Sequence, residues 1–178
     1  MIYYMNTKIK VVDDFIPESN FKPIQDVMLG LNFPWFYNKV IDGYEDVDKE
    51  DRFQFTHTFY SHNRPQSDYY DNWYDLLFGP IIQYGVFERI KANLLTKHTE
   101  IVENTFHTDI VPAPKQLSTS IYYLNTNNGY TKFEDGTMVE SVANRLVTFP
   151  ANIKHTGTTC TDKKIRVLIN LLYMRDAI

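Results

Sequence analysis

Cys160 is the only cysteine in this chain, so no intrachain disulfide can form and the usage fits a reducing compartment. No stretch approaches the roughly 18 apolar residues that a membrane span needs. Residues 1–12 carry Lys8 and Lys10 among polar neighbours without a long apolar run, so a cleaved leader is not expected. An excess of positive charge is also missing. The formal net charge is -4 and the pI about 5.7, which disfavours phosphate-backbone binding as the main task. No repeat, linker or low-complexity tract divides the chain. At 178 residues and 21.0 kDa it is long enough for one well-buried domain and short for two. One domain over residues 1–178, in the cytoplasm, is the expectation.

Aromatic residues are plentiful: 15% of the chain, with 13 Tyr and 12 Phe, which suits a β-rich core better than a helical bundle. Residues 9–16 read as a short strand that turns at Pro17. Ser19 is placed as an N-cap, followed by Phe21, Ile24, Val27, Met28 and Leu31 at helical spacing. Residues 35–63 read as strand, polar loop and strand, with Asp42, Glu45, Asp46, Asp48, Glu50 and Asp51 crowded in the loop. A second helix is expected after Ser67, using Tyr70, Trp73, Leu76 and Leu77. Gly79-Pro80 should break it, with a further short helix over 81–87.

From Glu88 the period changes to two. Arg89, Lys91, Asn93 and Leu95 alternate with Ile90, Ala92 and Leu94, a strand signal. Further strands are expected over 100–110, 117–125, 131–133, 138–142, 145–149 and 165–173, separated by turn clusters such as Asn127-Asn128-Gly129 and Asp135-Gly136. Many short strands at such intervals suggest a sandwich or jelly roll, here with N-terminal helices packed on one sheet.

The residue types that carry chemistry are His107-Thr108-Asp109, then His155, then Arg166. Two histidines and a carboxylate can occupy one face of a six-coordinate iron(II) and leave three adjacent positions open. On a strand, residues two apart point the same way, so His107 and Asp109 would face one metal. His155 would come from a distant strand. An arginine offers a fork of donors to the far carboxylate of a chelating co-substrate. By itself His-x-Asp is a weak signal, and a surface hydrogen-bonded pair is the plainer reading of it.

The segments around these residues strengthen the signal. Ile121-Tyr122-Tyr123-Leu124-Asn125, Asn128-Gly129-Tyr130-Thr131-Lys132-Phe133, Asn144-Arg145-Leu146-Val147-Thr148-Phe149, His155 and Arg166 come in an order that resembles the 2-oxoglutarate- and Fe(II)-dependent dioxygenases, prolyl-4-hydroxylase-like branch. Lys10-Val11-Val12-Asp13-Asp14-Phe15 and Phe149-Pro150 resemble small phage-encoded members, whose location would be the host cytoplasm. The motif-bearing part covers about residues 88–175. The family turn Gly-Gly-Glu-Thr is altered, with Tyr130 between Gly129 and Thr131. Arg166 stands where collagen-type prolyl hydroxylases carry lysine.

The resemblance implies a double-stranded β-helix in an α+β, mainly β fold. It implies a hydroxylase that couples oxidative decarboxylation of 2-oxoglutarate to oxidation of an unidentified substrate, a small molecule or a protein side chain. Fe(II) would be held by His107, Asp109 and His155. Arg166 and the Tyr123 hydroxyl would hold the distal carboxylate, and Asn93 is a further candidate for co-substrate contact. Dioxygen is the oxidant, with ascorbate as an optional addition. Nucleic acid and membrane are not expected partners, and the oligomeric state is open. Competing readings are desaturation or demethylation at the same centre, a cupin-like metal isomerase, and a non-catalytic jelly roll that binds metal or 2-oxoglutarate. His57, His62 and His98 lack partners at ligand spacing, and Cys160 lacks an activating base. The acidic loop is read as solvated rather than as a calcium loop. Residues 38–64 and 110–116 are expected to border the pocket.

Overall fold

A computed structural model describes residues 2–6, 8–41, 53–82, 85–112, 114 and 116–175. The elements in chain order are β1 (Ile2–Asn6), β2 (Ile9–Val12), α1 (Glu18–Leu29), β3 (Phe36–Asn38), β4 (Gln54–Ser61), β5 (Arg64–Pro65) and α2 (Tyr69–Trp73). A π-helical turn (Tyr74–Phe78) leads into α3 (Gly79–Ile82). Then come β6 (Gly85–Thr96), β7 (Leu117–Tyr123), β8 (Tyr130–Phe133), β9 (Met138–Glu140), β10 (Arg145–Pro150), β11 (His155–Gly157) and β12 (Ile165–Arg175). The acidic cluster from Asp42 to Asp51 lies outside the described residues.

The strands form two antiparallel sheets. The major sheet runs β1-β2-β10-β7-β12-β6-β4-β3, with β5 joined to β4, and the minor sheet runs β11-β8-β9. Strand alternation then sorts the side chains. On β12, Val167, Ile169, Leu171 and Tyr173 enter one apolar cluster with Ile90, Ala92 and Leu94 of β6 and Tyr122 of β7. Phe21, Ile24 and Met28 of α1, Trp73 of α2, and Leu77, Phe78, Ile81 and Ile82 cover that face. The opposite face of the major sheet meets the minor sheet. There Ile121, Tyr123, Val147, Phe149 and Leu168 pack against Phe133 and Val139. This two-sheet sandwich with helices on one outer face is the jelly-roll arrangement expected from the strand pattern.

Several local expectations are corrected. α1 starts at Glu18 with Pro17 as its flanking residue and no side-chain cap, so Ser19 lies inside the helix. Val27 and Leu31 of the apolar series face water. The strand from Ile9 ends at Val12, not at residue 16. Gly79-Pro80 opens α3 instead of ending the helical run, because proline is tolerated in a first turn where its missing N–H would find no partner. Phe87 belongs to β6, not to a helix. Residues 100–110 form no continuous strand. They meet their neighbours through isolated bridges at Glu103–Thr158 and His107–His155. His57 is buried among Phe33, Phe59 and Tyr69, with Nδ1 on the Pro34 carbonyl and Nε2 on Ser67 Oγ. Burial lowers its pKa against the opposing effect of that carbonyl, as for a core histidine. Cys160 is likewise buried.

Asn144 ties the layers together. It has a left-handed backbone (φ 61°) and is 3% exposed. Its Oδ1 accepts from the Ile16 N–H at 3.2 Å and the Tyr122 hydroxyl at 2.7 Å, while its Nδ2 donates to the Ile16 carbonyl at 2.8 Å. Asparagine adopts this conformation more readily than other residues with a Cβ. Asn144→Ala should therefore lower the unfolding free energy by about 3 kcal/mol or more, from stranded buried polar groups plus backbone strain. Urea denaturation of the two proteins checks this; a loss below about 1 kcal/mol would contradict it.

Candidate metal and anion site

The site lies between the two sheets. Its walls include Lys91 and Asn93 from β6, Ile121 from β7, Thr131 from β8, and Arg166, Leu168 and Asn170 from β12, together with His107, Asp109 and His155. Ile41 and Gln54 reach it from the two sides of the undescribed acidic segment. Gln54 Nε2 donates to the Val40 carbonyl at 2.8 Å. Of residues 110–116, Ala113 and Lys115 are outside the described residues.

Backbone pairing brings the two histidines together. His107 N–H donates to the His155 carbonyl and His155 N–H to the His107 carbonyl, each at 3.0 Å. Directly opposed residues in an antiparallel pair put their side chains on one face, and the rings stand 4.9 Å apart. Nδ1 of His107 lies 3.1 Å from the Thr105 carbonyl, and Nδ1 of His155 lies 3.2 Å from the Ile153 carbonyl. A carbonyl can only accept, so both Nδ1 atoms carry hydrogen. In the neutral ring this leaves the lone pair on Nε2, the tautomer a metal ligand requires.

Asp109 joins them from a bend, not a strand. One ligand atom from each of His107, Asp109 and His155 lies within 4.8 Å of the other two. His155 Nε2 lies 3.7 Å from Asp109 Oδ2. Burial pushes the Asp109 carboxyl upward, but His155, Arg89 and a hydrogen bond from Thr119 outweigh it and hold the pKa below the ordinary value. Burial is the main cause that lowers His155, with Asp109 opposing. Two imidazoles and one carboxylate form a donor set that suits a divalent transition metal.

Arg166 occupies the inner end of the pocket at 1% exposure. Its Nε donates to Ser141 Oγ at 2.8 Å, and its guanidinium carbon lies 5.7 Å from the centre of the Tyr123 ring. Desolvation lowers its pKa, yet a guanidinium stays protonated in a protein. Its Nη2 is buried without a hydrogen-bond partner among the described residues. The Tyr123 hydroxyl donates to Thr131 Oγ1 at 2.8 Å, and Thr131, not Tyr123, forms the pocket wall there. Asn93 lines the wall beside Leu168 in register, with Oδ1 unpartnered. The departure at Tyr130 is turned outward: its hydroxyl donates to Glu103 at 2.7 Å, and Lys132 donates to the same carboxylate.

Four buried side-chain atoms lack partners among the described residues: Arg89 Nε, Asn93 Oδ1, Arg166 Nη2 and Asn170 Oδ1. Three of these residues line this one pocket, and Arg89 bonds its Asp109. Buried polar groups are otherwise paired as a rule, so their convergence marks a place built for a polar ligand. The sequence reading did not single out Arg89, Thr119 or Asn170 as contacts of Asp109. Alternation did place Arg89 with Lys91 and Asn93.

No protein-family model matches this chain, and no curated protein matches it by sequence. Solved structures do match it in fold. A 2OG-Fe(II) oxygenase family oxidoreductase from Burkholderia pseudomallei superposes with a TM-score of 0.69 at 14% identity, covering 96% of this chain and 86% of that one. A prolyl hydroxylase from Trichoplax adhaerens, in complex with a hypoxia inducible factor peptide fragment, gives 0.63 at 14% identity, over 96% and 85%. A Pseudomonas putida prolyl-4-hydroxylase gives 0.56 at 18% identity, over 96% and 95%. The chain therefore has the double-stranded β-helix fold of the 2-oxoglutarate oxygenases.

Gly129 is the residue that lets Arg166 lie where it does. A Cβ there would stand 2.7 Å from Arg166 Cδ and 2.7 Å from the Thr159 carbonyl oxygen. One of these neighbours is backbone and the other is a fully buried stem, so neither can move cheaply. Gly129→Ala should cost about 1–3 kcal/mol through overpacking. Thermal and urea unfolding measure this, and an unchanged stability would show that the turn relaxes freely.

Proposed function

We propose that this chain is a 2-oxoglutarate- and Fe(II)-dependent oxygenase that hydroxylates a substrate still to be identified, a small molecule or a protein side chain. The observation that carries this reading is the pairing of two features in one pocket. A two-histidine, one-carboxylate cluster lies there with a buried arginine whose Nη2 has no partner among the described residues. A structural jelly roll has no use for that combination, since an unpaired buried donor costs about 1–3 kcal/mol.

In this reading His107 and His155 hold the metal through Nε2, and Asp109 holds it through its carboxylate. When bound, iron(II) with 2-oxoglutarate would supply the activation of dioxygen, at the expense of oxidising the co-substrate to succinate and carbon dioxide. Arg166 binds the distal carboxylate with the Nη2 donor left free in the pocket. Tyr123 lies under the guanidinium and fixes Thr131, a wall residue whose hydroxyl would be available to the same carboxylate. Asn93 offers a polar contact on the co-substrate side. Leu168 and Ile121 supply apolar walls between these polar ends, which limits water around the reacting atoms.

Succinate formation from 2-oxoglutarate in the presence of iron(II) is the direct test. The wild type should form succinate, slowly without its substrate and faster with it. Asp109→Ala should abolish the reaction with the fold retained by circular dichroism. Full activity of that variant would remove the metal assignment. Arg166→Ala should raise the 2-oxoglutarate requirement about 10²- to 10⁴-fold, from the roughly 3–5 kcal/mol lost when one partner of a buried charge pair is removed. Equal affinity of wild type and Arg166→Ala in calorimetry would assign the distal carboxylate to another residue.

A further inference from the structure

The backbone does little to aim Asp109. The residue follows the isolated His107 bridge, lies in a bend and precedes Val111-Pro112. Its carboxylate is held instead by side chains from three strands of the major sheet. Arg89 Nη2 from β6 and Asn170 Nδ2 from β12 both donate to Oδ1, each at 3.0 Å. Thr119 Oγ1 from β7 donates to Oδ2 at 2.8 Å. The Asp109 side chain is 4% exposed and that of Arg89 is 31% exposed, so the arginine enters from the rim and caps a buried anion.

Counting acceptor sites gives the consequence. A carboxylate offers about four lone-pair sites, two on each oxygen. Both sites on Oδ1 are taken by Arg89 and Asn170, and one on Oδ2 is taken by Thr119. The site that remains is on Oδ2, the oxygen 3.7 Å from His155 Nε2.

We propose that Arg89 is a positioning residue for the metal centre. With Asn170 it saturates Oδ1, so that Asp109 presents one oxygen, Oδ2, to the ion. The proposal rests on reading the three-residue cluster as a metal site, and it adds a reason for the arginine. Three single-atom ligands leave a six-coordinate ion three positions. A carboxylate bound through both oxygens would occupy one of them, and a chelating co-substrate together with dioxygen needs all three. Arg89 thus keeps a position open without touching metal or co-substrate.

Cobalt(II) is a spectroscopic probe that tests this without turnover. Its visible absorption follows the number and type of ligands, and calorimetry gives the affinity of the cobalt-loaded protein for 2-oxoglutarate. Arg89→Met and Asn170→Leu each free one site on Oδ1, the first with loss of a charge and the second without. Both should shift the cobalt absorption in the same direction and weaken 2-oxoglutarate binding about tenfold or more, within the 10–100-fold typical of losing a partner of a metal ligand. If Arg89→Met does not fold, Asn170→Leu alone carries the test. Spectrum and affinity unchanged within twofold in the variants would overturn the proposal while leaving the metal site intact. A shift in Arg89→Met without one in Asn170→Leu would assign the effect to charge and likewise overturn it. Failure of the wild type to bind cobalt would overturn the metal reading and the proposal together.

Discussion

Period-two alternation along β12 is the constraint on which both core and site depend. The strand pairs with β6 on one edge and β7 on the other, so its backbone groups are spent and it cannot slip by one residue. Such a slip would turn Val167, Ile169 and Leu171 into the pocket and put Arg166 against the helices. Burying an unpaired guanidinium among α1 and α3 side chains would cost far more than any repacking could return. The apolar face and the polar face of this strand therefore enforce each other. The position of Arg166 follows from the burial of Val167 as much as from its own contacts.

The ligand side of the pocket is built on a different principle. His107 and His155 are locked by reciprocal backbone bonds, a piece of sheet only one residue pair long. Asp109, two residues on, has left that ladder and is aimed by Arg89, Asn170 and Thr119. A rigid sheet thus reaches across with side chains to organise a stretch of irregular chain. Sites built on strands are more precise than sites on loops, and here the loop residue borrows the precision of three strands.

The same physics explains what could be read in the sequence. Alternation in residues 88–95 was visible because one face is apolar and the other largely polar, and it put Arg89 and Asn93 on the same side of their strand. The helix at Phe21, Ile24 and Met28 was visible for the equivalent reason, though Val27 and Leu31 show that apolar spacing does not ensure burial. Residues 100–110 have strand-like composition in Ile101, Val102, Thr105 and Phe106, but composition does not say whether a neighbour is present along the whole length. Their bridge partners are His155 in the three-residue β11 and Thr158 just beyond it, so only scattered bridges form. The strand that carries His155 was expected from its ligand role, but its bounds were not, because three residues carry no period. The Tyr123 hydroxyl could not be followed from sequence, since its partner Thr131 belongs to the other sheet.

The unpartnered atoms are the part of the site furthest from sequence reasoning, because they are defined by what folding leaves undone. Asn170 illustrates the point. Its Nδ2 must face Asp109, because a carboxylate only accepts. That leaves Oδ1 as a buried acceptor with a fixed direction and no partner among the described residues. Arg166 presents the complementary case, a buried donor at the other end of the pocket. A fold that keeps both sacrifices stability, on the order of 1–3 kcal/mol for each stranded group, and can do so because the apolar cluster beneath the helices is large and continuous. The division of labour between the two faces of one sheet follows: the helix-covered face supplies the stability that lets the other face hold polar groups unsatisfied until a ligand enters.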